Sequence, residues 1–171
     1  NPFAVLFTHR VKHQIEPGVH ECSRNGKLLC PLGIHTYPRP KLYPSEQLPM
    51  NTGGNYICIS PASVWFTKQW PLEKWVEFCD LLPQNLQVFL LGGKGDYALC
   101  EALIQKSRHK NFTNLCGKLN LLESAALMRN AKMNYVNDSA PMHLASAVNA
   151  PVCAVYCSTI PDFGFGPLSD E

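Results

Sequence analysis

From residue 55 onward, short apolar runs alternate with longer segments in which apolar residues recur every three or four positions. Residues 55–60 make a run of strand length, and Leu72, Trp75, Val76, Cys79 and Leu82 then fall on one face of a helix. A second run at 87–91 closes on Gly92, Gly93, Lys94 and Gly95, and 96–107 reads as a broadly apolar helix. A third short strand is expected at 112–115. Asn120 with Glu123 three positions on forms a capping-box pattern that starts a helix running through Arg129. Residues 132–136, 141–148 and 152–156 predict a strand, a short helix and a last strand. Strands alternating with helices of about ten residues are βαβ units. The pattern therefore predicts an α/β domain, with a Rossmann-like parallel sheet covered by helices on both faces.

The chain before this domain has no such period. Residues 4–8 suggest a short strand and 20–29 a helical piece. Five of the 14 prolines then fall between Pro31 and Pro49. Proline fixes φ and removes a backbone donor, so helix and central strand are both excluded there. Residues 1–53 are expected to be an N-terminal arm ending in an extended connector, and residues 54–171 the folded domain.

Composition narrows the class. With 46% hydrophobic and 16% charged residues, against about 25% charged on average, the chain is neither disordered nor a polyelectrolyte. A length of 171 residues suits one domain with an appended arm. The net charge of +2 makes no case for nucleic acid or for an electrostatic membrane surface, and leaves room for a local cationic patch that binds a small anion. The eight cysteines include no CxxC pair, and no His lies at zinc-finger distance. Most sit in apolar runs, such as Ile57-Cys58-Ile59 and Val152-Cys153-Ala154, which favours free buried thiols in a reducing, cytoplasmic compartment over a disulfide framework. No apolar stretch approaches the roughly 20 residues of a membrane span. The start at Asn1-Pro2-Phe3 has neither an initiator Met nor a signal-peptide pattern, as expected of a piece of a longer protein.

In open α/β sheets the ligand lies beyond the carboxyl ends of the strands. After the first strand come Ser60, Ser63, Thr67 and Lys68. Lys68 is a point charge suited to a phosphate, with Ser63 and Thr67 as hydroxyl donors, or else a solvated Lys between two structural tryptophans. After the fourth strand, Asn137-Asp138-Ser139-Ala140-Pro141-Met142-His143 opens a helix whose free amides and dipole suit an anion. Pro141 belongs in its first turn, and Ser139 or Asp138 is the cap. Asp138 beside a phosphate is repulsive unless it accepts ligand hydroxyls or orients a neighbour. His143 either touches the anion or fills core space. The Leu91-Gly92-Gly93-Lys94-Gly95-Asp96 turn lets a ligand approach the backbone, yet is neither GxGxxG nor a P-loop. Asp96 is either an acceptor for ribose hydroxyls or the cap of the next helix. Thr159, in the loop after the last strand, is a further candidate hydrogen-bonding group.

Taken in order, these segments resemble the C-terminal half of the ADP-heptose:lipopolysaccharide heptosyltransferases, glycosyltransferase family 9. The matching features are Ser60-Pro-Ala with Lys68-Gln-Trp-Pro71, the Leu91-Gly-Gly turn, Asn114-Leu-Cys-Gly-Lys118 with Leu121-Leu-Glu123, Asn137-Asp-Ser-Ala-Pro-Met-His-Leu-Ala145, and Pro151-Val-Cys-Ala-Val-Tyr156 with Thr159-Ile-Pro161 and Gly164-Phe-Gly-Pro167. The resemblance covers residues 55–167, and the arm before it is similar to an interdomain connector. It implies a GT-B architecture of two Rossmann-like domains, with this chain holding the nucleotide-sugar donor. By resemblance Lys68 contacts the donor phosphates, Asp138, Ser139 and the following amides bind the diphosphate and sugar, His143 supports that turn, and Asp96 lies near where a family acidic residue meets the nucleoside ribose; Gly93 and Thr159 join the candidate donor site by their places after the strands.

Two departures stand out. Ala140 occupies the place of the family's Gly, so a backbone needing φ > 0 would be strained there. The N-terminal acceptor domain, which carries the general base, is absent, and residues 1–30 are too few to replace it. The implied reaction is an inverting, metal-independent displacement at the anomeric carbon, with no cofactor beyond the donor. The implied acceptor is the lipopolysaccharide core, at the inner face of a bacterial cytoplasmic membrane. Three alternatives stand beside it: a nucleotide-diphosphate-binding module without catalysis, another GT-B enzyme such as an epimerase or N-acetylglucosaminyl transferase, and a structural adaptor.

Overall fold

A computed structural model describes residues 2–12, 14–48 and 50–170. Pro49, the last proline of the expected connector, and Asn1 lie outside the described residues. The chain forms two compact units. One comprises the stretch up to Pro40 together with Ile160–Gly166; the other comprises Lys41–Thr159 and the stretch from Pro167. The sheet-bearing unit thus starts ahead of the expected boundary at 53/54, and the loop after the last strand belongs with the N-terminal stretch.

The N-terminal unit carries one short helix, α1 (Glu21–Gly26), followed by 3-10 turns over Lys27–Leu32. The strand expected at 4–8 is instead a 3-10 turn over Pro2–Leu6. A strand needs a ladder partner, and Pro2 supplies the fixed φ that favours the start of a helical turn. Pro31 lies inside the 3-10 segment, so the irregular backbone begins only after it. Arg24 is 4% exposed; its guanidinium pairs with Glu21 and donates to the Phe163 carbonyl, both at 2.6 Å. Gly164, at φ 98°, leaves room for it, because a Cβ there would fall 2.4 Å from Arg24 Nη2.

The second unit is a parallel sheet of β1 (Tyr56–Ser60), β2 (Gln87–Leu90), β3 (Phe112–Asn114), β4 (Asn134–Asn137) and β5 (Val152–Val155), in the order β3-β2-β1-β4-β5. The helices are α2 (Leu72–Asp80), α3 (Tyr97–Lys106), α4 (Leu121–Arg129) and α5 (Ala140–Ala147). Every residue of β1 is buried, as a central parallel strand requires. Its alternation divides the core. Tyr56 and Cys58 pack with Phe89, Leu127, Val136 and Met142 on one face; Ile57 and Ile59 pack with Trp75, Cys79, Leu90 and Leu103 on the other. Helices α2 and α3 cover the second face, and α4 and α5 the first. Both expectations, α/β class and a sheet covered on both sides, hold.

All eight cysteines are free thiols. Cys153, expected to be buried, is exposed; it lies on β5, an edge strand whose one neighbour in the sheet is β4. Among the described residues no helix is long and apolar enough to cross a membrane.

The start of α4 is set locally. Asn120 Oδ1 accepts the Glu123 N–H at 2.9 Å, and Glu123 Oε2 accepts the Asn120 N–H at 2.8 Å. An Asn120→Ala variant loses that cap and is expected to be less stable by about 1 kcal/mol, a fall of roughly 2–4 °C in the thermal midpoint followed by circular dichroism. An unchanged midpoint would show that tertiary packing alone fixes this helix end.

Candidate functional site

The strand order reverses between β1 and β4. The sequence proceeds β1, β2, β3 toward one edge and then returns past β1 to β4 and β5, so the loops leaving β1 and β4 diverge at the crevice where such sheets bind ligands. Lys68 arrives on the first loop and Asp138 on the second. Lys68 Nζ lies 2.6 Å from Asp138 Oδ2, and Thr159 Oγ1 donates to the same oxygen at 2.6 Å. The Asp138 side chain is 4% exposed and that of Lys68 25%. Asp138 thus orients its neighbours, holding an ammonium and a hydroxyl on one carboxylate oxygen.

Asn137, to which no role was given on sequence grounds, holds this arrangement in place. Fully buried, it accepts the Trp70 N–H at 3.0 Å through Oδ1 and donates to the Pro61 carbonyl at 2.7 Å through Nδ2. Both partners belong to the β1–α2 loop, so one amide fixes that loop, and Lys68 with it, against the end of β4. The available signal was a polar residue ending a buried strand directly before Asp138.

Beside this cluster lies a cavity of about 630 Å³, within the range of small-molecule sites. Of the candidate residues, Ser60, Ser63, Gly93, Asp96, Ser139 and Ala140 line it. Ser60 Oγ is buried there without a hydrogen-bond partner among the described residues. Leu91, Leu119, Met128 and Leu144 add apolar lining, and Lys94, Gly117 and Asn120 also line it; none of these seven was among the candidates. Asp96 Oδ2 accepts the Gly93 N–H at 2.8 Å and closes the glycine turn. A Cβ on Gly92 would stand 2.8 Å from that oxygen, so only glycine fits.

Ser139 is the N-cap of α5 by position, but its hydroxyl makes no cap bond and instead donates to the Asn137 carbonyl at 3.3 Å. Ala140 is the first residue of α5, in a helix start that needs right-handed backbone. Among the described residues only Asn149 combines a side chain with positive φ, which removes the strain expected at Ala140. Thr67 and His143 are exposed and do not line the cavity. Lys68, Asp138 and Thr159 are also outside its lining and form their own group. Burial, then the Asp138 carboxylate, push the Tyr156 hydroxyl up to about 12, so it remains protonated and donates to Met142 Sδ at 3.2 Å. Among the described residues no group of three or more His, Cys, Asp and Glu side chains is arranged to hold a metal ion.

The family model for glycosyltransferase family 9 (heptosyltransferase) matches residues 4–171, a wider span than the 55–167 carried by the motifs. Lipopolysaccharide heptosyltransferase 3 of Escherichia coli is 31% identical over 166 residues, covering 90% of this chain and 48% of the relative. The chain therefore spans about half the length of that relative. Among solved structures, a glycosyl transferase family 9 protein of Veillonella parvula superposes with a TM-score of 0.80 at 20% identity, over 97% of this chain and 52% of its own. The ADP-heptose lipopolysaccharide heptosyltransferase II of E. coli superposes with a TM-score of 0.62 at 28% identity, over 78% of this chain and 45% of its own.

Proposed function

The chain belongs to glycosyltransferase family 9, and from that premise we propose that its sheet-bearing unit binds the nucleotide-diphosphate end of a sugar donor, ADP-heptose, for transfer to a lipopolysaccharide core acceptor. The carrying observation is the Lys68–Asp138–Thr159 cluster at the sheet's switch point, beside a cavity that is apolar at one side and lined by hydroxyls and glycines at the other. The ADP-heptose in the name of the E. coli neighbour is what suggests the donor.

In this reading the diphosphate lies against the start of α5, where Ser139 and the first amides offer donors. Lys68, one of whose three N–H bonds is spent on Asp138, directs the others at the phosphates. As the glycosidic bond to the diphosphate breaks, charge grows on the leaving oxygen. A preplaced ammonium and helix amides stabilise it without reorganising. Ser60, Ser63, Gly93 and Asp96 line the space for the nucleoside. The acceptor hydroxyl and the base that deprotonates it belong to an acceptor-binding half, to which the proline-rich stretch is the connector. Displacement is inverting and needs no metal or further cofactor, and the reaction takes place in the cytoplasm at the inner face of the membrane.

Titration calorimetry of the chain with ADP, beside a transfer assay on the same sample, tests the proposal. ADP is expected to bind and transfer to be absent. Saturation at a hundredfold excess over Kd should stabilise the fold by about 2.7 kcal/mol, and UDP or GDP should do less. Absence of ADP binding at millimolar concentration, with a normal melting transition, would overturn the assignment; stronger stabilisation by UDP would move it to another nucleotide-sugar transferase.

A further inference from the structure

Among the described residues, the thiols of Cys100 and Cys116 meet. Cys100 sits on α3 and is fully buried; Cys116 follows β3 and is 4% exposed. Their sulfurs are 3.2 Å apart, so a disulfide of about 2.05 Å requires them to approach by roughly 1.2 Å. The pair lies directly behind the cavity wall. A Cβ on Gly92, a wall residue, would be 3.0 Å from Cys116 Sγ. Gly117, also a wall residue, donates its N–H to the Gly92 carbonyl at 2.9 Å. The Asp96 and Lys94 side chains lie over these two glycines, and the Cys116 sulfur follows directly behind Gly92.

We propose that Cys100 and Cys116 are an oxidisable dithiol that a hydroperoxide converts to a disulfide, and that closing it shifts the Gly92–Gly117 wall of the cavity. The Cys116 sulfur attacks one peroxide oxygen, the O–O bond breaks, and a sulfenic acid and one water form. The Cys100 sulfur then attacks the sulfenic sulfur, the S–O bond breaks and a second water leaves. Two thiols and one hydrogen peroxide become one disulfide and two waters, with both thiol protons carried off in the water. The hydrogen bond between the two sulfurs prepares the first step, since it lowers the pKa of Cys116 and raises that of Cys100. The buried Cys58 and Cys79 are pushed up by desolvation and are internal controls.

Closure has a direct path to the cavity. Drawing Cys116 toward α3 pulls on Gly117 and its bond to Gly92. A ligand in the cavity covers the glycines, so occupancy and oxidation oppose each other, as linkage requires. This opposition rests on the nucleotide reading of the cavity, whereas the disulfide does not.

The test is peptide mapping of the reduced chain after brief hydrogen peroxide treatment, with Cys153→Ser and Cys157→Ser in place to suppress intermolecular bonding. Free thiols are alkylated in denaturant before trypsin. The expected product joins peptide 95–106 to peptide 111–118, is reversed by dithiothreitol, and is absent from Cys100→Ser and Cys116→Ser variants, while Cys58 and Cys79 are fully alkylated. Oxidised chain should bind ADP at least fivefold more weakly, and saturating ADP should slow formation of the linked peptide at least fivefold. Alkylation of both thiols after peroxide, or oxidation of Cys116 to the sulfinic acid without a cross-link, overturns the dithiol. A cross-link formed equally fast with ADP bound, and without effect on its affinity, overturns the shift of the wall. If the reduced chain binds no ADP, the nucleotide reading fails and the peptide map alone decides on the dithiol.

Discussion

Replacing Lys68 by alanine is expected to weaken ADP binding to this chain by 10- to 100-fold, the equivalent of about 1.5–3 kcal/mol for a lost hydrogen bond to a charged group. In an enzyme extended to the length of its relatives, the same change should lower kcat by about 10²–10³ under the proposed function, in which the ammonium acts on charge that develops as the diphosphate departs. The change also disturbs the fold. Asp138 is 4% exposed, and without Lys68 its carboxylate is left buried with the Thr159 hydroxyl as its remaining side-chain partner among the described residues. Uncompensated buried charge is costly, so Lys68→Ala should be less stable by several kcal/mol. The double variant Lys68→Ala/Asp138→Asn separates the two effects. Neutralising the carboxylate should restore most of the thermal midpoint and none of the ADP affinity. Recovery of both together would mean that Lys68 serves the fold alone.

Asn137→Ala should lower stability by about 2–4 kcal/mol, since it unpairs the Trp70 N–H and the Pro61 carbonyl and leaves each to carry part of its desolvation cost. For a domain of this size that is a fall of roughly 5–15 °C in the thermal midpoint. The more telling measurement is ADP affinity well below the transition, where the variant is folded. Asn137 positions the loop that carries Lys68, so affinity should fall about tenfold even in fully folded protein. Asn137→Asp keeps an acceptor for Trp70 but turns a carboxylate oxygen toward the Pro61 carbonyl, and should bind no better than the alanine variant. Normal affinity in the folded fraction of both variants would reduce Asn137 to a structural role.

The periodic part of the chain was legible because periodicity is local. Leu72, Trp75, Val76 and Cys79 lie on one helix face whatever the sheet does, and the Asn120–Glu123 box closes within four residues. Elements whose shape depends on a distant partner were read less well. Residues 4–8 are an apolar run with no strand to pair with among the described residues, and Ala4, Val5 and Leu6 belong to a 3-10 turn. Cys153 has apolar neighbours in sequence but lies on an edge strand and is exposed. Ala140 looked strained against the family's glycine only until its place at the start of α5 was known.

The candidate site divides in the same way. The residue types that suit a phosphate, a cation, hydroxyls and a helix start, were visible at the strand ends. Their pairing was not. Lys68 and Asp138 are 70 positions apart, and what brings them together is the placement of β4 beside β1. The sequence by itself determined an α/β chain of alternating strands and helices, because each strand and helix must bury the apolar face written into its own period. Only the tertiary structure decided that Asp138 holds Lys68 and Thr159, that Asn137 pins the loop that carries Lys68, and that Cys116 touches Cys100. Hydrogen bonds and charges carry no periodic signature, and their partners are chosen by strand order.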